Sequence, residues 1–306
     1  MSALDASLLK QAAASAADGQ HYPAAALYVV ATPIGNLADL TLRAIHVLGL
    51  VDAIACEDTR HSATLLQALQ LTKPLVALHE HNERSAAGAV LQRLARGERV
   101  AYVSDAGTPA ISDPGAALVA AVQAGGYRSV PIPGPSSAVA ALSVAGDERG
   151  SAIHLVGFLP ARGGDRARLL SGIAADPRTQ VLFEAPHRIA ALAQALGAAC
   201  AARRITVCRE LTKQFENVAT MPALELEAWL QADPHRQRGE FVLVLHALAE
   251  AEGDADARHD ATLRILLAAL PLKQAVALTA ELTAAPRNAL YERALAWRKD
   301  AVPPEG

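Results

Sequence analysis

The chain has 306 residues, 52% hydrophobic and 19% charged, enough for two or three domains with sizeable cores and too apolar for wholesale disorder. A net charge of −3 and an aromatic content of 4% exclude a generally basic nucleic-acid binder and argue against a surface built on a row of stacking rings. Contact with nucleic acid would need a local patch; 23 of the 28 basic residues are Arg, which suits phosphates, although a GC-rich genome explains the bias equally well.

Residues 1–26 are Ala-rich but carry Asp5, Lys10 and Asp18, so they lack the apolar core of a secretion signal and read as an N-terminal tail. From Leu27 short β-rich runs alternate with amphipathic stretches. Leu27–Ala31, Ala53–Cys56, Leu75–His79, Val100–Ser104 and Ser129–Ile132 are predicted strands. Leu40–Leu50, Ser62–Leu71, Ser85–Arg96 and Ala116–Gly125 are predicted helices. Such alternation predicts an α/β fold with a parallel, doubly wound sheet, placed at 27–146, whose ligands sit beyond the carboxyl ends of its strands. Gly146-Asp147-Glu148-Arg149-Gly150 breaks the pattern as a hinge. A second α/β domain, 151–249, follows with strands near Ile153–Gly157, Gln180–Glu184, Thr206–Arg209 and Phe241–His246, in a mixed sheet. Residues 250–260, rich in acids, read as a linker. The rest, 261–299, is predicted as a small helical extension too small to enclose a core alone, with Lys273, Arg287, Asn288, Tyr291 and Arg293 on two short helices broken at Ala285-Pro286. No apolar run approaches the ~20 residues of a membrane helix, so a soluble, cytoplasmic protein is expected. Cys56, Cys200 and Cys208 form neither a CxxC pair nor a zinc spacing and read as reduced thiols.

The loops after the strands carry the chemistry. There is no GxxxxGK[ST] and no GxGxxG after the first strand, which removes a P-loop and the usual dinucleotide fingerprint. Instead Thr32-Pro33-Ile34-Gly35-Asn36 closes the first strand. Ser104-Asp105-Ala106-Gly107-Thr108-Pro109 closes the fourth and runs on through Ile111-Ser112-Asp113-Pro114-Gly115. Pro133-Gly134-Pro135-Ser136-Ser137 closes the fifth and opens a helix. Glycine lets backbone approach a ligand and proline freezes the loop beforehand. Each loop alone is equally well a tight turn with Ser136 or Asp113 as a helix cap; three on one sheet edge describe a preformed pocket.

In this order VVATPIGNLADLTLRA, ACEDTRHS, LHEHNE, VSDAGTPAISDPG and PIPGPSS resemble the ribosomal RNA small subunit methyltransferase I family, within the tetrapyrrole methylase-like superfamily. Downstream, GFLP, FEAPHRI, CRELTKQFE, GEFVLVL and the tail LKQAVALTAELTAAPRNALYERAL are similar to it as well, so the resemblance spans nearly all of 27–295. It implies two α/β domains with S-adenosyl-L-methionine (SAM) in the cleft between them, plus the helical extension. It also implies a homodimer and 2′-O-methylation of a cytidine in the decoding region of 16S rRNA, within the 30S subunit or a late precursor. By motif, the cofactor residues would be Pro33, Ile34, Gly35, Asp105, Ala106, Gly107, Thr108, Ser136 and Ser137. The second domain would add Phe158, Phe183, Glu184, Gly239 and Glu240.

A ribose hydroxyl is a poor nucleophile, so a base or a stabiliser of the developing alkoxide is useful. Glu57 or Asp58 is a candidate proton acceptor, Arg60 a candidate phosphate grip and Lys213 a candidate steering or stabilising cation; equally, Asp58 and Arg60 could form a structural bridge and Lys213 a solvated face. His79, His81 and Glu83 are a weak metal signal, and no metal is expected. Arg287–Arg293 resembles the second helix of a helix-turn-helix, or a capping or dimer-stabilising pair. Two rivals remain at this point: methylation of a tetrapyrrole precursor, against which EDTR, HEHNE and the C-terminal helices weigh, and a non-catalytic RNA-binding assembly factor.

Overall fold

A computed structural model describes residues 5–79, 82–111, 115–160, 163–248, 254–283 and 285–300, with 254–258 and 298–300 described by their backbone alone. The chain divides into two compact units, Met1–Ala247 and Leu248–Gly306.

In the first unit, β1 (Ala26–Val30), β2 (Ala53–Cys56), β3 (Leu75–Ala77), β4 (Val100–Val103) and β5 (Arg128–Ile132) form a parallel sheet in the order β3-β2-β4-β1-β5. The inner strands read as unbroken apolar runs, ALYVV in β1 and VAYV in β4, because helices cover both faces. Tyr28, Val30 and Ile54 face α2 (Leu42–Leu50) and α3 (Thr59–Ala68), while Leu27, Ala55 and Tyr102 face α4 (Glu83–Ala95) and α5 (Ala116–Ala124). The N-terminal segment is not a tail throughout. Asp5 caps α1 (Ala6–Ala17), which buries Ala13 and Ala17 in the core shared with α2, and the Tyr22 ring packs tilted against His46, centroids 4.9 Å apart. A face made only of alanines can bury closely while giving almost no apolar signal in sequence.

The second sheet has the order β6-β7-β10-β8-β9 and is mixed, as expected. Its strands are β6 (Ile153–Phe158), β7 (Thr179–Glu184), β8 (Arg204–Arg209), β9 (Asn217–Pro222) and β10 (Phe241–Leu245). Only β6 and β7 pair in parallel. One face packs on α7 (Gly164–Ala175), α8 (Ile189–Ala199) and α9 (Leu226–Gln231). The other packs on α6 (Ser137–Ala145), the helix that follows β5: Ala138, Ala141 and Ala145 sit among Val181, Cys208, Val242 and Val244. A helix that starts at the first sheet and packs on the second joins the two into one unit. The segment read as a hinge is tied into it, with Asp147 accepting from Thr179 Oγ1 at 2.6 Å and Ala247 N at 2.8 Å.

The second unit comprises α10 (Asp254–Ala269), α11 (Leu272–Thr283) and α12 (Arg287–Asp300). It encloses a small core of its own, from Leu263, Leu272, Val276, Ala285, Leu290 and Ala294, contrary to the expectation that it could not. The expected break at Ala285-Pro286 falls between α11 and α12, and α10 supplies the third wall. Of the segment read as a linker, 254–260 forms the start of α10 and 250–253 lies outside the described residues. Among the described residues, no helix is long and apolar enough to cross a membrane.

Candidate active site

The loops after β4, β1 and β5, three neighbouring strands, leave the same sheet edge and are bonded to one another. Thr32 N donates to Gly107 O at 2.9 Å and Gly107 N to Thr32 O at 3.0 Å; Thr108 Oγ1 donates to Pro135 O at 3.1 Å. Asp105 Oδ1 accepts from Asp58 N at 3.1 Å, which ties in the loop after β2. Ser136 caps α6 by accepting from Val139 N, and Ser136, Ser137 and Ala138 at the helix start, where amides have no partner within the helix, line the cleft described next. These bonds fix the loops before any ligand arrives.

Between these loops and the second sheet lies a cleft of about 450 Å³. Of the cofactor residues implied by the motifs, Ile34, Asp105, Ala106, Gly107, Thr108, Ser136 and Ser137 line it from the first sheet. Phe158, Phe183, Glu184 and Glu240 line it from the second. Pro33, Gly35 and Gly239 are not in its wall. Gly35 lies behind it, where a Cβ would stand 2.4 Å from Lys213 Cγ, and Gly239, at φ +86°, holds a turn where a Cβ would meet Glu210 Cγ at 2.4 Å. Both glycines serve close backbone approach rather than ligand contact. The wall also contains Ile111, Ala138, Pro186, Cys208, Leu211 and Val242, which carry no chemical signature by which a sequence could announce them. Burial pushes the Cys208 thiol up to about 12, so it serves as an apolar wall and not as a nucleophile.

Glu184 ends β7 with its side chain fully buried. Oε1 receives Ala185 N at 3.0 Å and Arg188 Nε at 3.0 Å, whereas Oε2 accepts no hydrogen bond among the described residues and faces Arg166 Nη1 at 3.9 Å. A buried carboxylate oxygen without a donor, in the wall of a cleft, is an acceptor ready for a ligand group.

The proposed catalytic residues are placed differently from one another. Glu57 lines the cleft. Asp58 caps α3, accepting from Arg60 N at 2.8 Å, and grips the Arg60 guanidinium at 2.7 and 3.1 Å. That hydrogen bond from Arg60 holds the Asp58 carboxyl at about 2, a poor proton acceptor near neutrality. Asp58 and Arg60 therefore form the structural bridge, with the Arg60 side chain 90% exposed and able to meet a further anion. Lys213 is no solvated face. Its Nζ donates to Glu210 Oε1 at 2.9 Å and Glu240 Oε2 at 3.0 Å. Burial opposes its charge, but these two carboxylates outweigh it and raise the ammonium above its ordinary range. Of the histidine-rich motif, Glu83 Oε1 accepts from Gly115 N at 2.7 Å and Asn82 Oδ1 from His79 N at 2.8 Å. Glu80 and His81, like Ser112, Asp113 and Pro114, lie outside the described residues.

In the C-terminal unit Arg293 pairs with Asp260 at 2.9 Å and Arg264 lies over the Trp297 ring at 4.6 Å, so both cations brace the helices.

Comparison with known proteins follows this division. A family described as Tetrapyrrole (Corrin/Porphyrin) Methylases matches residues 26–227, and one described as RsmI C-terminal HTH domain matches 252–298. Ribosomal RNA small subunit methyltransferase I of Pseudomonas aeruginosa is 46% identical over 275 residues, 89% of this chain and 97% of the relative. Its namesakes from Escherichia coli O157:H7 and Neisseria meningitidis serogroup B are 45% and 44% identical, covering 88% and 89% of this chain and 94% of each relative. Among solved structures, a cobalt precorrin-4 methyltransferase aligns at a TM-score of 0.55 and 17% identity, over 72% of this chain and 94% of its own. A Thermus thermophilus uroporphyrin-III C-methyl transferase complexed with S-adenyl homocysteine aligns at 0.51 and 17%, over 71% and 96%. At that identity the structures establish the fold alone.

Proposed function

The chain belongs to the ribosomal RNA small subunit methyltransferase I family, and from that membership we propose that it uses SAM to methylate the ribose 2′-hydroxyl of a cytidine in the decoding region of 16S rRNA. Its substrate is the 30S subunit or a late precursor, met in the cytoplasm by a homodimer.

The observation that carries the cofactor reading is the chemistry of the cleft. Ile34, Phe158, Phe183 and Leu211 offer apolar walls to an adenine and a thioether chain. Glu184 Oε2, which accepts no hydrogen bond among the described residues, offers an acceptor to a hydroxyl or ammonium. Glu57, Asp105, Glu184 and Glu240 give the wall a carboxylate excess that favours a cationic ligand, while the first amides of α6 suit its carboxylate. The residues fit the group. SAM supplies an electrophilic methyl carbon next to a positive sulfur. The first-sheet residues Pro33, Ile34, Gly35, Asp105, Ala106, Gly107, Thr108, Ser136 and Ser137 hold or brace it, as do Phe158, Phe183, Glu184, Gly239 and Glu240 from the second.

Transfer of this kind depends chiefly on placing the acceptor oxygen in line. Glu57, the cleft-lining carboxylate of its loop, takes the hydroxyl proton. Arg60 meets a backbone phosphate, with Asp58 fixing its root. Lys213 orients Glu240 and acts through it.

Calorimetric titration with SAM, followed by tritium transfer from labelled SAM to 30S particles, tests the proposal. Saturable binding and a stoichiometric methyl on the 16S rRNA are expected; binding without transfer would leave the cofactor and remove the substrate.

A further inference from the structure

Seven residues, Glu210–Glu216, join β8 to β9, and Phe215 among them presents a ring that is 69% exposed. A lone exposed apolar side chain means little on its own. The loop that carries this one is unusually constrained. Glu210 and Thr212 hold positive φ angles of 53° and 65°, which non-glycine residues keep only where their surroundings impose it. Thr212 N donates to Glu216 Oε2 at 2.6 Å, Glu216 N to Lys213 O at 3.1 Å, and Arg209 Nη1 to the carbonyl of Phe215 at 3.0 Å. The backbone on both sides of Phe215 is fixed while its ring stays in water.

The same loop forms part of the cleft's rim. Leu211 lines the cleft, and Lys213 packs against Gly35 of the first loop and binds Glu240, another lining residue. The chain has four phenylalanines; Phe158, Phe183 and Phe241 line the cleft, and Phe215 lies in the same loop as the cleft-lining Leu211. Exposed Gln214, Glu216 and Asn217 flank it, with Val218, 39% exposed, as its apolar neighbour in sequence. One ring in polar surroundings matches the flat face of a single base better than it matches an apolar protein surface.

We propose that Phe215 is a stacking platform for an unpaired nucleobase of the RNA substrate, held at the cleft's rim so that the neighbouring ribose is presented to the site. The proposal rests on the RNA-methylating reading above. Bases in unpaired RNA stack on aromatic side chains irrespective of base identity, and one ring suffices where shape supplies the rest.

The test compares Phe215→Ala, Phe215→Leu and Phe215→Trp with the wild type in the full chain, measuring kcat and KM for 30S particles, SAM affinity and melting temperature. Phe215→Ala should raise KM for the particle about tenfold, the range of one lost stacking contact, with kcat, SAM affinity and melting temperature held. Phe215→Trp should restore KM and Phe215→Leu should not, a split that loop packing would not produce. A KM within twofold of wild type in Phe215→Ala, or equal rescue by Leu and Trp, overturns the stacking role while leaving the enzyme's function intact. A wild type that binds SAM but methylates no ribosomal particle overturns the functional reading, and the stacking role with it.

Discussion

Asp105 serves two purposes: it lines the cleft and it accepts the Asp58 amide at 3.1 Å, joining the loops after β2 and β4. Asp105→Arg would place a long cation in the pocket and break that bond, and SAM binding should be lost by calorimetry while the protein remains folded. Unchanged affinity in a folded variant would mean the cofactor lies elsewhere. Lys213 makes a prediction about pH. Its ammonium is raised above its ordinary value of 10.5, so its pairing is complete below that pH and lost only as pH climbs through the raised value. Burial pushes the Glu210 carboxyl up, but the Glu240 amide and Lys213 hold it below 4.5; its contribution is present above that pH and fails as pH falls through the lowered value. The clasp is therefore charged on both sides across the neutral range. Lys213→Met should lower the transfer rate by a constant factor from about pH 6 to about pH 9, and Lys213→Arg should recover part of it. A loss confined to one end of that range would show Lys213 titrating during catalysis.

At the level of elements, the site depends on loops that touch across the cleft. Gly35→Val would put a branched side chain where Lys213 Cγ now lies, 2.4 Å from a Cβ. We expect about a tenfold weaker SAM affinity from displaced loops, measured by the same titration; an unchanged value would show the contact to be dispensable. Much of this was readable beforehand: β2 falls at Ala53–Cys56 as predicted, and the Gly/Pro loops, read as a pocket edge, form one. The elements that escaped did so for physical reasons. β9 is an edge strand, NVATMP, with three of its six residues exposed and only Met221 buried. The acidic stretch before Asp260 looks like a linker, yet Ala, Asp and Arg are compatible with a helix and acids favour its N-terminus. The role of Asp58 depended on which partner Arg60 would take, and only the folded loop decides that. The packing of α6 on the second sheet depends on tertiary placement, to which its own run of small apolar residues gives no address.

On the scale of the whole molecule, every residue that lines the cleft belongs to the unit ending at Ala247. The helical unit holds Lys273, Arg287 and Arg293 and its own core. Deleting 250–306 should therefore leave SAM affinity and the melting of the larger unit near wild type while methylation of 30S particles falls steeply; parallel loss of all three would make the helices a structural cap. A chain with net charge −3 has little general grip on flexible RNA, so assembled 30S particles should be methylated faster than free 16S rRNA at equal salt. Methylation of a ribose in the small-subunit RNA is read out by mass spectrometry of 16S rRNA fragments from cells with and without this gene. A decoding-region cytidine should lose one methyl from its ribose when the gene is absent and regain it on complementation; an unchanged spectrum, or a methyl lost from a base, would contradict the assignment.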